Sequence, residues 1–390
     1  MQNMITLENT IKENYLPAFN NQIGTEASPL LAKIKKVPLK SDKIVSAAPI
    51  GLSGGFGFGA EGMNTPKSGA VQYDRLETRA KDMYTDIVIS YKAMQLTGDT
   101  GAIVNAVDSE IRAAYEAARW NTGRALFGNG TGKLATVSAL NSAGNTLTVD
   151  STKFLKEGLT IDIYATGGTS PQTKGTARRI ESIDRVNKTI TLSGEASTFT
   201  AGFITVQNSY NREITGLGSI FDSSVTSIYG LTKADNPYLN PIEIDAANDI
   251  DDGVITKALR RAKNEKGSSI DTLLCGDDAY DAYVAYLREN NIRVEDKTKT
   301  ITGGFRAIRF AFGNKEVDVI NESFVTDDEM WGVDSTQCEF HATNWGFVTK
   351  DGSGAFNLME NQSAFRALLA SYGDFICKQP GGCLRIKNCI

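Results

Sequence analysis

Histidine is almost absent from this chain of 390 residues: His341 is the only one. That removes histidine-rich metal sites and allows at most one histidine-based triad. No HExxH, DxDxDG or GK[ST] motif occurs, so the signatures of zinc proteases, calcium loops and P-loops are missing. No run of about eighteen apolar residues exists, so no membrane-spanning helix is expected. The N-terminal stretch Met1–Asn20 lacks the charged-then-apolar order of a signal peptide. Cysteines number five, an odd count with no CxxC pair, which argues against a disulfide framework or a zinc ribbon. Positive charge is not in excess either. Lys and Arg number 41 against 46 Asp and Glu, a net −5 that excludes a wholesale polybasic nucleic-acid binder but not a local basic patch.

What is present describes a globular protein. Hydrophobic residues make 41% and charged residues 22%, and the length suits two or three domains. Catalytic inventory is thin: no catalytic constellation, metal site or cofactor is expected. His341 follows Cys338 and Glu339 on an expected strand and reads as a packed or surface residue. Asp327, Asp328 and Glu329 read as a turn. Cys377, Cys383 and Cys389 recur every six residues, which on one extended strand puts all three on one face. With Cys275 and Cys338 they are expected as buried reduced thiols, an inter-subunit disulfide being the alternative.

Along the chain, Ile5, Leu7, Ile11, Tyr15, Leu16 and Phe19 form a helical stripe that Pro17 breaks or kinks. A second amphipathic piece holds Leu30, Leu31 and Ile34. Lys33, Lys35, Lys36, Lys40 and Lys43 make this stretch basic: a solvated face, or an arm resting on an acidic neighbour or phosphate. The run Gly51–Gly62 holds six glycines and two phenylalanines. Its GGFGFG is not a GxGxxG between a strand and a helix, so no nucleotide site is expected. A long excursion of this kind is usually functional, and the expectation is a loop packing on another chain with Phe56 and Phe58 as anchors. Thr97–Phe127 predicts a long helix, capped by Asp99 or Thr100, with Ile103, Val107, Ile111, Ala114 and Ala118 on one stripe. Gly128-Asn129-Gly130 ends it, as glycine in a left-handed cap does. At ~1.5 Å per residue it reaches about 42 Å and needs an extended surface to lie on. Residues 134–207 alternate instead, in short strands separated by turns, which predicts a small antiparallel barrel or sandwich. From Tyr210 onward helices over Asp251–Lys266 and Asp277–Asn290 mix with short strands, the last over Ala364–Cys377.

The order of these elements carries a resemblance. An N-terminal arm leads to a glycine-rich loop returning on a strand (residues 51–91), then to a long helix closing in Arg124-Ala-Leu-Phe-Gly-Asn-Gly-Thr-Gly132. Ile214-Thr-Gly-Leu-Gly-Ser-Ile-Phe-Asp222, Tyr229-Gly-Leu231, Pro237-Tyr-Leu239, Gly303-Gly-Phe305 and a final Leu368–Pro380 strand follow. This is similar to the major capsid proteins of tailed double-stranded DNA bacteriophages, with the Hong Kong 97-like fold. The resemblance implies an α+β class with six segments. They are an N-terminal arm (1–45), an E-loop (46–90), a P domain with its spine helix (91–139), an inserted all-β domain (140–207), most of the A domain (208–345) and the rest of the P domain (346–390). The resemblance implies self-assembly through pentamers and hexamers, a portal protein, packaged double-stranded DNA inside, and no membrane. It implies assembly in the host bacterial cytoplasm and residence in the virion. Many relatives carry a long N-terminal scaffolding segment; with the arm helix starting near Met4 none is expected here, so scaffolding would be separate or unnecessary, as would any decoration protein. Interface candidates are Phe56, Phe58, Lys67, Lys33, Lys35 and Lys36. Some relatives cross-link a loop lysine to an asparagine; Lys67 with Asn357 or Asn361 would be the counterparts, and no such bond is expected. Two alternative readings stay open. One is the shell of a cellular nanocompartment with the same fold; the other is a hydrolase or carbohydrate-binding protein using the β-rich block.

Overall fold

Alternation along Lys81–Ser90 turns Ile87 and Ile89 inward and Asp82, Tyr84, Asp86 and Val88 outward. In the computed structural model, which describes residues 20, 23, 27–50, 55–62, 64, 67, 72–90, 100–290, 298–300, 304–349, 356–360 and 362–390, this strand pairs antiparallel with Ala364–Cys377. The other edge of Ala364–Cys377 takes Asn357–Leu358, Gly346–Phe347 and Cys338–Ala342 in turn, and Cys338–Ala342 carries Lys35–Pro38 in parallel. The helix Thr100–Phe127 covers the inner face of this six-stranded sheet. Its Ile111, Ala114 and Ala118 are buried with Ile87, Ile89, Ala367 and Leu369. A Cβ at Gly123 would lie 2.6 Å from the Ala27 carbonyl oxygen, so glycine there lets the N-terminal segment approach the helix. Residues 4–19, Gly51–Gly54, the candidate cap Asp99 and Asn361 lie outside the described residues. Asn20 brackets Trp345, its Nδ2 donating to the carbonyl and its Oδ1 accepting from the N–H at 3.2 and 2.6 Å.

A seven-stranded mixed sheet is built in the order Ile242–Asp245, Leu384–Lys387, Met330–Val333, Thr272–Cys275, Lys315–Asn321, Arg306–Phe312, Thr298–Thr300. Helices Asp252–Lys266 and Asp277–Glu289 contribute Ile255, Leu259, Ala262, Ala279, Tyr283 and Leu287 to its core. The last strand is therefore Leu384–Lys387 and not Ala364–Cys377. The cysteine expectation is corrected with it. The 3-10 turn Pro380–Gly382 separates Cys377 from Cys383, so the three cysteines share no strand face. The chain crosses from the six-stranded to the seven-stranded sheet at this turn.

The chain divides into two compact units, Met1–Gly123 with Ser219–Ile390, and Arg124–Gly218. The second is all antiparallel beyond the helix end, with strands ordered Lys133–Val137, Gly202–Val206, Thr160–Ala165, Arg178–Asp184, Thr189–Leu192, Thr146–Thr148. The end strands meet: Ser138 N–H donates to the Thr148 carbonyl and Asp150 N–H to the Thr136 carbonyl, each at 3.1 Å. The sheet thus closes into a barrel with no open edge. Leu147, Ile161, Ile163, Ile180, Ile190, Leu192 and Ile204 fill it. Buried Asp162 accepts the N–H groups of Ala177 and Asn208, both at 2.8 Å, and so holds two non-glycine residues at positive φ. The left-handed glycines after the long helix are Gly130 and Gly132, with φ of 82° and 76°. The Asn129 side chain braces that turn by accepting from Thr131 N–H and Oγ1.

Candidate assembly surfaces

With no catalytic constellation in the sequence, the candidate site is the set of surfaces offered to other molecules. The first is a β-hairpin, Lys43–Ile50 paired with Gln72–Arg79 in register from Lys43↔Arg79 to Ile50↔Gln72. Its root is fixed to the body. Ile44, Ala48 and Leu76 are buried. Thr78 donates its hydroxyl to the buried Asp374 carboxylate, and the Tyr238 hydroxyl donates to Asp74. Burial, and then the Asp74 carboxylate, push the Tyr238 phenol well above its ordinary range. Glu77 donates its N–H to the Tyr229 carbonyl at 2.9 Å. Tyr229 and Gly230, with φ of 50° and 82°, form the two-residue turn between Ser227–Ile228 and Leu231–Thr232, where both central residues need positive φ. Tyr229 adopts it at a cost, held there because its hydroxyl accepts the Cys377 N–H at 3.0 Å.

Beyond the hairpin the character changes. Residues 55–62 are all exposed. Phe56 is 81% and Phe58 96% exposed, their rings edge to face with centroids 5.3 Å apart. Two adjacent phenylalanines in water are an unsatisfied apolar surface. Lys67 is exposed on the same excursion. Asn357 lies on the short strand beside Arg366 of the long strand.

The basic stretch divides by direction. Lys33 turns inward: its Nζ donates to Asp318 at 2.9 Å, to Thr272 Oγ1 at 2.6 Å and to the Asp271 carbonyl at 3.2 Å. Lys35 pairs with Glu339 of the adjacent parallel strand at 3.4 Å. Lys43 pairs with Glu77 across the hairpin at 2.7 Å. Lys36 and Lys40 carry exposed side chains. Two of the sequence candidates, Lys33 and Lys35, thus have partners within their own chain, and these fasten the segment 28–38 to both sheets of the first unit. Ser28 adds to this by donating to the buried Glu322 carboxylate at 2.7 Å.

A third surface is absent from the sequence candidates. On the sheet face turned away from the long helix, Tyr84 and Tyr372 meet edge to face at 6.5 Å, 56% and 39% exposed. Val88 lies on the same face, and Arg366 bridges to Asp86 at 2.9 Å. The signal was the outward half of the Lys81–Ser90 alternation; the cross-strand partner Tyr372 becomes visible only with the register.

Elsewhere, a cavity of about 250 Å³ lies between Leu259, Ile270, Phe312, Lys263 and Lys315, where Lys315 donates to Ser269. Among the described residues no cluster of His, Cys, Asp or Glu is arranged to hold a metal ion. None of the described helices is long and apolar enough to cross a membrane.

No protein-family model matches the chain, and no curated protein matches it in sequence. The arrangement of its elements does have counterparts among solved structures. A chain of the cyanophage A-1(L) capsid asymmetric unit, 10% identical, aligns with a TM-score of 0.57 over 92% of both chains. The fold is the Hong Kong 97-like capsid fold. Weaker matches to this capsid fold are the holo-SrpI encapsulin complex of Synechococcus elongatus (TM-score 0.48, 8% identity, 93% of this chain and 88% of that one) and the satellite phage P4 procapsid with its size determination protein (TM-score 0.46, 10% identity, 95% and 97%). The mixed α+β class and the capsid resemblance drawn from the element order agree with this result.

Proposed function

We propose that this chain is the major capsid protein of a tailed double-stranded DNA phage, assembling as pentamers and hexamers into an icosahedral head shell around the packaged genome. The observation that carries the reading is the capsid fold along nine-tenths of the chain, seen in the cyanophage capsid. The hairpin with a rigid root and an exposed aromatic loop supports it, because such a loop gains by covering a neighbour. On this reading residues 1–45 are the arm, 46–90 the E-loop, 91–139 the P domain with its spine helix, 140–207 an inserted β domain, 208–345 most of the A domain and 346–390 the end of the P domain. Phe56 and Phe58 anchor the loop on an adjacent subunit, with Lys67 beside them. Lys33 and Lys35 hold the arm to its own subunit, while Lys36 and Lys40 face an acidic neighbour or DNA phosphate. A net charge of −5 suits a container that must not grip its contents everywhere. Modest contacts suffice because valency multiplies them, and closed symmetry ends growth.

The test is negative-stain electron microscopy of the purified chain with sedimentation velocity. Closed shells, or rings of five or six subunits, are the expected result. A compact monomer across concentration and salt, with or without co-expressed scaffold, would overturn the reading. Shells filled with protein in the native host, and not with DNA, would move it to a nanocompartment.

A further inference from the structure

Three of the five cysteines meet where the chain crosses between the two sheets. Cys338, Cys377 and Cys383 are free and at most 2% exposed. The sulfurs of Cys377 and Cys383 are 3.8 Å apart. Cys338 stands opposite Cys377 in the antiparallel register. The Cys377 N–H goes to Tyr229 Oη and the Cys338 N–H to the Ser335 carbonyl, so the two form a non-hydrogen-bonded pair, the closer of the two antiparallel spacings. Cys377 therefore lies between two thiols. As a thiolate, Cys377 can accept from both neighbouring thiols and from the Gln379 N–H, which favours that form against the cost of burial.

We propose that Cys377 and Cys383 are a disulfide-forming pair, closed by a peroxide when the protein leaves a reducing compartment. The Cys377 thiolate attacks the peroxide: an S–O bond forms, the O–O bond breaks and hydroxide leaves, with sulfur giving up two electrons. The Cys383 thiol then displaces the oxygen: the S–S bond forms, the S–O bond breaks, and its proton leaves with that oxygen as water. In sum, two thiols and one hydrogen peroxide give one disulfide and two waters. The Cys377 and Cys383 sulfurs are already 3.8 Å apart and are joined through the short turn Pro380–Gly382. Peroxide is little larger than water, and opening of that turn admits it. The bond ties the last residue of Ala364–Cys377 in one sheet to the residue before Leu384–Lys387 in the other. The crossover becomes covalently fixed in an oxidising environment and free in a reducing one. The inference stands on this cluster alone and is independent of the assembly reading.

The test oxidises the full-length folded protein with hydrogen peroxide, removes the excess with catalase, then denatures, alkylates and maps the tryptic peptides. The expected result is loss of two of the five free thiols and a reducible link between Ala367–Lys378 and Gln379–Arg385, which trypsin separates after Lys378. Cys338→Ser keeps that link and Cys377→Ser loses it. If a variant fails to fold, the wild-type map still decides. Five thiols remaining, a link from Cys377 to the Cys338 peptide, sulfinic acid at Cys377, or links between chains would each overturn the proposal.

Discussion

A charge inside a protein is tolerable only with its partner in place, and two residues here put that to measurement. In the Arg124–Gly218 unit the guanidinium of Arg124 grips both carboxylate oxygens of Glu213, the two side chains being 6% and 9% exposed. Removing one partner leaves the other charged and dry, which costs about 3–5 kcal/mol, while replacing both by apolar residues costs far less. Arg124→Met or Glu213→Leu alone should therefore lower the denaturant midpoint of hydrogen exchange in the barrel strands, and the double change should recover most of it. A double-variant loss equal to the sum of the two single losses would mean the pair is not coupled. Glu339 tests the acid limb. Burial pushes its carboxyl up, but Lys378 at 2.7 Å, His341 at 3.1 Å and Lys35 at 3.4 Å outweigh that and hold it below its ordinary value of 4.5. With the folded pKa below the unfolded one, its stabilisation is complete above about pH 4.5 and is lost as pH falls through the folded pKa. Glu339→Gln should lower the thermal midpoint at neutral pH and flatten its fall between about pH 5 and 3; parallel acid limbs would show that the cluster does not act on folding.

Single helices can be tested at their ends. Asp252–Lys266 is capped by Asp251, whose carboxylate accepts the Val254 N–H at 2.5 Å, and closed by Gly267 at φ 65°, whose N–H reaches the Ala262 and Lys263 carbonyls. Asp251→Ala should cost about 1 kcal/mol by freeing an amide. Gly267→Ala should cost about 1–2 kcal/mol through the left-handed backbone, since a Cβ there meets nothing within 4 Å. The ends are far enough apart that the losses should add in the hydrogen exchange of this helix. Features of this local kind were the ones legible beforehand. The stripe through Ile111, Ala114 and Ala118 showed the long helix, and alternation with turn residues showed the strands of the barrel, because helix and strand periods are written within a few residues. Partners distant in the chain were not legible. Lys35 meets Glu339 across 304 residues, and no local pattern announces that parallel pairing. Closure of the barrel through Ser138 and Thr148 was equally silent. Spacing alone misled at the cysteines, because the Pro380–Gly382 turn interrupts the strand that would have aligned them. Among the candidate residues, glycine-rich composition pointed to Phe56 and Phe58 because a loop without a period has no core to enter. Charge could not tell that Lys33 turns inward, since a lysine stem reaches a buried carboxylate or water equally well.

If the chain assembles as proposed, the exposed loop becomes the most sensitive element of the assembled molecule. If each subunit lends its loop to one neighbour and receives another's, a substitution in the loop weakens every such junction in the shell at once. Burying one phenylalanine is worth about 1.5–3 kcal/mol, so Phe56→Ala or Phe58→Ala should raise the protein concentration at which shells form by roughly 10-fold to 100-fold. The ring centroids are 5.3 Å apart, so the double variant should fall short of the product. The unassembled subunit should keep its thermal midpoint, because side chains 81% and 96% exposed contribute little to its own core. Salt separates this apolar anchor from the basic one. An apolar anchor does not weaken as salt screens charges, whereas attraction by Lys36 and Lys40 does. The assembly defect of Phe58→Ala should therefore persist unchanged in sedimentation runs from low to high salt, while that of Lys36→Glu with Lys40→Glu should shrink as salt rises. Phenylalanine variants that assemble at the wild-type threshold would remove the loop as the anchor and leave the exposed Tyr84–Tyr372 face as the surface to vary next.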